Sequence, residues 1–230
     1  MNIYVTSDLH LNHRNIVQME RYNLDRNGLQ DITTIEEYNK MIIERINKIV
    51  HPEDILYILG DVCFGKPDVV APLLHRINGH KFLILGNHDH YTPDDAEKLG
   101  LEKIHNHPIY LPEGKGKIIL SHYPLQEAFN NPFILFNLHG HLHTSDLVLP
   151  NFFNVNIAMN NYQPLPMSKF LHKIDIKGLS RRQKWLTEWY AEYQRFPVAR
   201  ANLVLKPNGM LDVEATKKLK EEKEKQKTEE

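Results

Sequence analysis

Five short polar clusters in this chain bring carboxylate, amide and imidazole side chains together. They are "SDLH" with Asp8 and His10, "GD" with Asp61, "GNHD" with Asn87, His88 and Asp89, "SH" with His122, and "HGHLH" with His141 and His143. Each stands directly behind an apolar run. Taken singly, every cluster has an ordinary explanation: Gly and Asn favour turns, Asp bonds its own backbone, and a histidine on a strand is commonly inert. As an ordered set they differ, because independent accidents would not all fall at strand ends. Seven donors, Asp8, His10, Asp61, Asn87, His122, His141 and His143, suit one or two divalent cations of borderline hardness: Zn, Mn, Fe, Co or Ni. The lack of Cys ligands argues against a structural zinc site, and more ligands than a tetrahedral site needs argue for two metals. Positions i and i+2 project to one side of an extended chain. Asp8 with His10, and His141 with His143, would then each form a two-pronged clamp if strand geometry persists.

The elements that must carry these residues follow from the apolar pattern. "NIYVT" reads as a buried strand, followed at Ser7 by a loop and a short helix from about His13 to Tyr22. "TTIEEYNKMIIERINKIV" has apolar residues at helical period, with Thr33 or Thr34 as N-cap and acidic residues in the first turn. "DILYILGD" and "KFLILGNHD" are strands ending in polar pairs, with a helical "KPDVVAPLLHRI" between them that Asn78-Gly79 closes. Strand, helix, strand, helix, strand points to an α/β sheet with its site beyond the strand C-termini. After the short helix "TPDDAEKLG" come closely spaced strand candidates, "EKIHN", "PIYL", "GKIILSH", "ILFNLHGH" and "FFNVNIA", which suggest a second, more antiparallel sheet. "LSRRQKWLTEWYAEYQRF" is an amphipathic helix, "NLVLKPNGMLDV" a hairpin about Asn208-Gly209, and "KKLKEEKEKQKTEE" a solvated charged tail.

At 230 residues the chain can bury a substantial core without staples, and it is expected to divide into a main domain over residues 1–170, which carries all five polar clusters, and a helix/hairpin extension with a charged tail over 171–230. A net charge of -1 provides no global field for DNA or anionic lipid, although a local basic patch is compatible with it. Cys63 is the single cysteine, which rules out an internal disulfide framework and fits a reducing compartment. With no basic-then-apolar leader and no membrane-length apolar run, the expected location is cytoplasmic and no membrane partner is expected.

The run "SDLH … GD … GNHD … SH … GHLH" resembles the calcineurin-like metallophosphoesterase superfamily, whose signature is D-x-H, G-D, G-N-H-[DE], H and G-H-x-H. The resemblance covers about residues 1–165 with every block in order. "SDLHLNHRNIV" and "NVNIAMNNYQPLP" are also similar to small bacterial and bacteriophage members. The resemblance implies an α/β fold, a four-layer αββα sandwich of two mixed sheets flanked by helices, with the helical extension lying beyond it. It implies two divalent metal ions, manganese first among Mn, Fe, Zn, Ni and Co. Asp8, His10, Asp61 and His143 would hold one, Asp61, Asn87, His122 and His141 the second, with Asp61 as the bridge.

The activity so implied is phosphoester hydrolysis by a hydroxide held between the metals. His88 would act as general acid, Asp89 would orient its imidazole, and His13 and Arg14 would meet the substrate phosphate. The Ser/Thr protein phosphatase branch carries an Asp-Arg pair just after its Gly-Asp, whereas "GDVCFG" has Phe64 and Gly65 there, which argues against that activity. A phosphodiesterase acting on a nucleotide, cyclic nucleotide or nucleic-acid phosphoester is the leading expectation. The alternatives are a phosphomonoesterase or nucleotidase, a nuclease that uses Arg181, Arg182 and Lys184, and a non-catalytic scaffold. The C-terminal region could also pair with another subunit.

Overall fold

A computed structural model describes residues 1–171 apart from Pro132, Asp146, Val148 and Pro150. The expected C-terminal helix, hairpin and charged tail lie outside the described residues. Five strands form the first sheet in the order β4-β3-β2-β1-β9. β1 (Ile3–Thr6), β2 (Ile55–Ile58), β3 (His80–Ile84) and β4 (Lys103–His105) are mutually parallel, and β9 (Leu165–Pro166) lies antiparallel on the β1 edge. The second sheet runs β5-β6-β7-β8, from β5 (Ile109–Glu113), β6 (Gly116–Ser121), β7 (Ile134–His139) and β8 (Phe152–Asn154).

Alternation along the strands separates the layers. Leu56 and Ile58 join Ile42 and Ile46 of helix α3 (Ile35–Asn47) in one core, together with Val70 and Leu74 of α4 (Pro67–Leu74). Val5, Leu59 and Ile84 instead meet Ile118, Leu120 and Leu138 between the two sheets. Ile119, Ile134 and Phe152 pack with Ala128 of the short α5 (Glu127–Asn130) on the far side. Three apolar interfaces therefore divide four layers, as the αββα expectation requires. Each fully buried Leu or Ile contributes about 1.5–3 kcal/mol, so the cores can hold polar loops in strained positions at the sheet edge.

Local signals explain α3 well. Thr34 Oγ1 accepts the Glu37 N–H at 3.2 Å while the Glu37 carboxylate accepts the Thr34 N–H at 3.0 Å, a complete capping box.

Elsewhere the structure corrects the sequence reading. The second sheet is mostly parallel: only β5–β6 is antiparallel, and β6–β7 and β7–β8 are parallel. Residues 122–133 and 140–151, which look like hairpin loops, are each long enough for a crossover, which takes roughly a dozen residues. "EKIHN" joins the first sheet, because β4 pairs with β3. The helix expected over His13–Tyr22 is two pieces, α1 (Ile16–Met19) and α2 (Arg21–Arg26), broken at Glu20. A last short helix, α6 (Ser168–Leu171), buries Phe170 against the inter-sheet core.

Candidate metal centre

The shared direction of β1, β2, β3, β6 and β7 within their sheets places Asp8, Asp61, Asn87, His122 and His141 just past strand C-termini. The chain there is not extended. Asp8, His10, Asp61, His141 and His143 all take left-handed backbone, at φ 56°, 47°, 53°, 65° and 47°. The two D-x-H and H-x-H clamps are thus built by left-handed residues on either side of a Leu, and not by continuing strands. Such conformations cost about 1–3 kcal/mol each and persist only where the surroundings over-determine them. The surroundings do so: Asp8 N–H donates to Gly60 O, His10 N–H to Asp61 O and Leu11 N–H to Val62 O, each at 3.0 Å. Leu9, between the first pair, is fully buried in the helix-side core.

Gly140 and Gly86 are required by close approach. A Cβ at Gly140 would strike Asp8 Oδ2 and Ser7 Oγ, and one at Gly86 would strike Asp61 Oδ1 and its N–H.

The side chains converge. Donor atoms of Asp8, His10 and His143 lie within 4.8 Å of one another, as do those of Asp8, Asp61 and His122. Asn87 joins through its Oδ1, 2.9 Å from both His122 Nε2 and His141 Nδ1. All seven residues singled out as ligands are therefore brought to one place.

Hydrogen bonds at the back of the site orient these donors. His122 Nδ1 faces Leu59 O at 2.9 Å, so this nitrogen carries the proton and Nε2 presents a lone pair. That lone pair meets Asn87 Oδ1 and, at 3.5 Å, Asp61 Oδ2. Acceptors gathered so closely repel one another unless a cation or proton lies among them. Both ring nitrogens of His10 are buried and, among the described residues, have no hydrogen-bond partner. Buried polar atoms are rarely left so, and a metal ligand is one of the few roles that accounts for it. Ser7 Oγ donates to Asp8 Oδ2 at 2.6 Å, and His141 N–H is 3.2 Å from both Asp8 oxygens.

Electrostatics agree with a cation site. Burial pushes the imidazoles of His10 and His141 down to about 4, against the pull of Asp61, so both rings are neutral at neutral pH, the form a metal ligand takes. Burial also raises the Asp8 carboxyl above the ordinary Asp range. The donor set therefore fits divalent cations of borderline hardness.

The remaining expected residues take more varied places. His88 is exposed at the lip, its ring 6.2 Å from His10 and 5.2 Å from Phe64, with its N–H donating to Asp61 Oδ1 at 2.9 Å. Asp89 is buried, and its oxygens accept the N–H groups of Gly86, Asp61 and Val62 at 2.8, 2.8 and 2.9 Å. Those partners replace the expected one: this carboxylate ties the GNHD turn to the Gly-Asp loop and does not orient the His88 ring. His13 stands at the site, 6.1 Å from His10 and edge-on to Phe64 at 4.3 Å, and Arg14 is exposed beside it.

Three contributors were not evident in the sequence. Phe64 touches His10, His13 and His88. Asn154 Nδ2 holds His143 O at 2.9 Å. Glu20 is buried with Oε1 3.8 Å from His143 Nδ1. Only Glu20 had a signal, as the charged residue where the apolar period of the first helix falters. Among the described residues, no helix is long and apolar enough to cross a membrane.

Comparison with known proteins agrees with this geometry. An uncharacterised protein of Methanocaldococcus jannaschii is 28% identical over 182 residues, covering 75% of this chain and 91% of its own. The gene 66 protein of Mycobacterium phage L5 is 34% identical over 103 residues, 43% of this chain and 45% of its own. A crystal structure of a protein of unknown function from Aquifex aeolicus shares the fold, with a TM-score of 0.58 at 22% identity over 75% of this chain and 99% of that one. The calcineurin-like phosphoesterase family matches residues 1–219, and the chain belongs to that family of hydrolases acting on phosphoester bonds.

Proposed function

We propose that the protein is a dinuclear-metal phosphodiesterase acting on a nucleotide or nucleic-acid phosphoester. The observation that carries this reading is the meeting of two buried carboxylates, Asp8 and Asp61, with four imidazoles and one amide at a single sheet edge. Asp8, His10, Asp61 and His143 would hold one cation, and Asp61, Asn87, His122 and His141 the other. Asp61 would be the bridge: its Oδ2 lies 3.5 Å from His122 Nε2 and its Oδ1 accepts the His88 N–H, while Asp8 contributes donor atoms to both groups. Two divalent cations, manganese foremost, would acidify the attacking water and offset charge on the phosphoryl oxygens.

The chain's own groups do the rest. His88, fixed through its backbone on Asp61 and open to solvent, would give a proton to the departing alkoxide oxygen. His13 Nδ1 accepts the Asn15 N–H at 3.2 Å, which leaves its Nε2–H to donate to a phosphoryl oxygen, and Arg14 would add a forked contact. Preference for a diester is supported by Phe64. This aromatic wall between His13 and His88 supplies no fixed positive charge, and a diester monoanion needs less of it than a monoester dianion.

The test is turnover of bis-p-nitrophenyl phosphate against p-nitrophenyl phosphate with Mn²⁺, Ni²⁺, Co²⁺ or Zn²⁺. Metal-dependent cleavage, faster on the diester, is expected. Cleavage only of the monoester would overturn the diester preference, and no turnover with any of the four would overturn the activity.

A further inference from the structure

The sequence "VQMERYN" presents Glu20 as a charged residue on a short surface helix, yet it is only 5% exposed. It sits at the break between α1 and α2 with φ -92° and ψ 8°, a sparsely populated region common at functional positions. The break is fixed on both sides: Glu20 N–H donates to Ile16 O at 2.8 Å, and Glu20 O accepts from Leu24 N–H at 2.9 Å. Asn23 Nδ2 donates to Oε2 at 2.6 Å, which leaves Oε1 facing His143 Nδ1 at 3.8 Å. The adjacent cation, Arg21, is committed elsewhere, to Asp25 at 3.0 Å and to the carbonyls of Ile32 and Leu29 at 3.0 and 3.3 Å.

A buried carboxylate is costly unless polar groups surround it. Here Asn23 holds Oε2, the Tyr162 hydroxyl lies close by, and the His143 ring is the imidazole that Oε1 faces. That ring is held on its other sides as well. It stacks on His10 at 5.1 Å with the planes 12° apart, and its backbone oxygen is gripped by Asn154. At 3.8 Å the Glu20 carboxylate is in ion-pair range of the ring and beyond a direct hydrogen bond. A carboxylate so placed favours the proton on the facing nitrogen and leaves the second as lone-pair donor, and partners of this kind typically change metal affinity by about 10–100-fold.

We propose that Glu20 is a positioning residue for His143. It holds the proton on Nδ1, turns the opposite nitrogen toward Asp8 and His10, and so sets the affinity of one of the two cation sites. The inference rests on the dinuclear-metal reading above.

Calorimetric titration of the full chain with Mn²⁺, after chelation, tests it in wild type, Glu20→Met, Glu20→Gln and His143→Ala. The expectation is a loss of about 10–100-fold at one site in Glu20→Met, the same site that His143→Ala removes, with the other site unchanged. Glu20→Gln keeps the volume and an acceptor oxygen, so it should show a smaller loss confined to that site; it carries the test if Glu20→Met does not fold. Unchanged affinities at both sites, or equal losses at both, would overturn the positioning role. Wild-type protein that binds no Mn²⁺ would remove the metal reading itself, a result distinguishable from the others.

Discussion

His88 and Asp89 are neighbours in the chain with opposite environments, one exposed at the lip and the other buried beneath it. Their substitutions should therefore fail in different ways. His88→Ala removes a proton donor but no cation ligand, so metal content measured by elemental analysis should stay at the wild-type level. Turnover of a poor leaving group should fall by roughly 10² to 10⁴. Asp89→Ala strands two buried N–H groups and the half-buried one of Gly86, and hydrogen bonds to a charged acceptor contribute about 1.5–3 kcal/mol each. It should lower the thermal unfolding temperature and the metal content together. If Asp89 acted only by orienting His88, Asp89→Ala would retain full stability and metal and would lose turnover alone. At this scale the convergence of the seven candidate ligands was legible because each motif stands at a strand end. What Asp89 binds was not, since its partners Asp61 and Val62 are distant in sequence. Nor was the left-handed backbone of Asp8, His10, His141 and His143, because nothing in D-x-H distinguishes a strand from a pair of αL turns.

Elements differed in legibility according to how local their cause is. α3 was readable to its cap because the Thr34–Glu37 box and the apolar period both lie within one stretch of sequence. Its pH dependence follows. Backbone N–H groups of Thr33 and Thr34 hold the Glu37 carboxyl below its usual range, so the folded value lies beneath the unfolded one. The resulting stability is complete above the unfolded value of about 4.3 and is lost as pH falls through the folded one. In urea unfolding, Glu37→Gln should be less stable than wild type at pH 7, and the gap should close below about pH 4. Thr34→Ala should cost about 1 kcal/mol. A Glu37→Gln deficit that persists undiminished into acid would refute the charged cap. The second sheet was misread for the opposite reason: whether β6, β7 and β8 run parallel depends on crossovers, and strand spacing alone looks like a meander. Parallel β6 and β7 deliver His122 and His141 to the same edge.

For the molecule as a whole, nothing in a net charge of -1 announces an anion-processing enzyme. The charge that matters is local, where Asp8 and Asp61 are buried together at 2% and 1% exposure. Three apolar cores fix two sheets face to face, and that rigidity lets five loops from distant parts of the chain hold strained residues around a common centre. The α/β class was legible in the succession of strand and helix patterns, whereas the four-layer order came from the family resemblance, because which face of each sheet meets which core is settled by tertiary packing. The β9 strand was not, since Leu165–Pro166 is too short to carry a pattern.

The central claim is that this centre holds two cations sharing Asp61. Anomalous diffraction from crystals grown with Mn²⁺ tests it most directly. The account predicts two peaks about 3.5–4 Å apart with an Asp61 oxygen between them. A single peak, or a pair that Asp61 does not join, would contradict it.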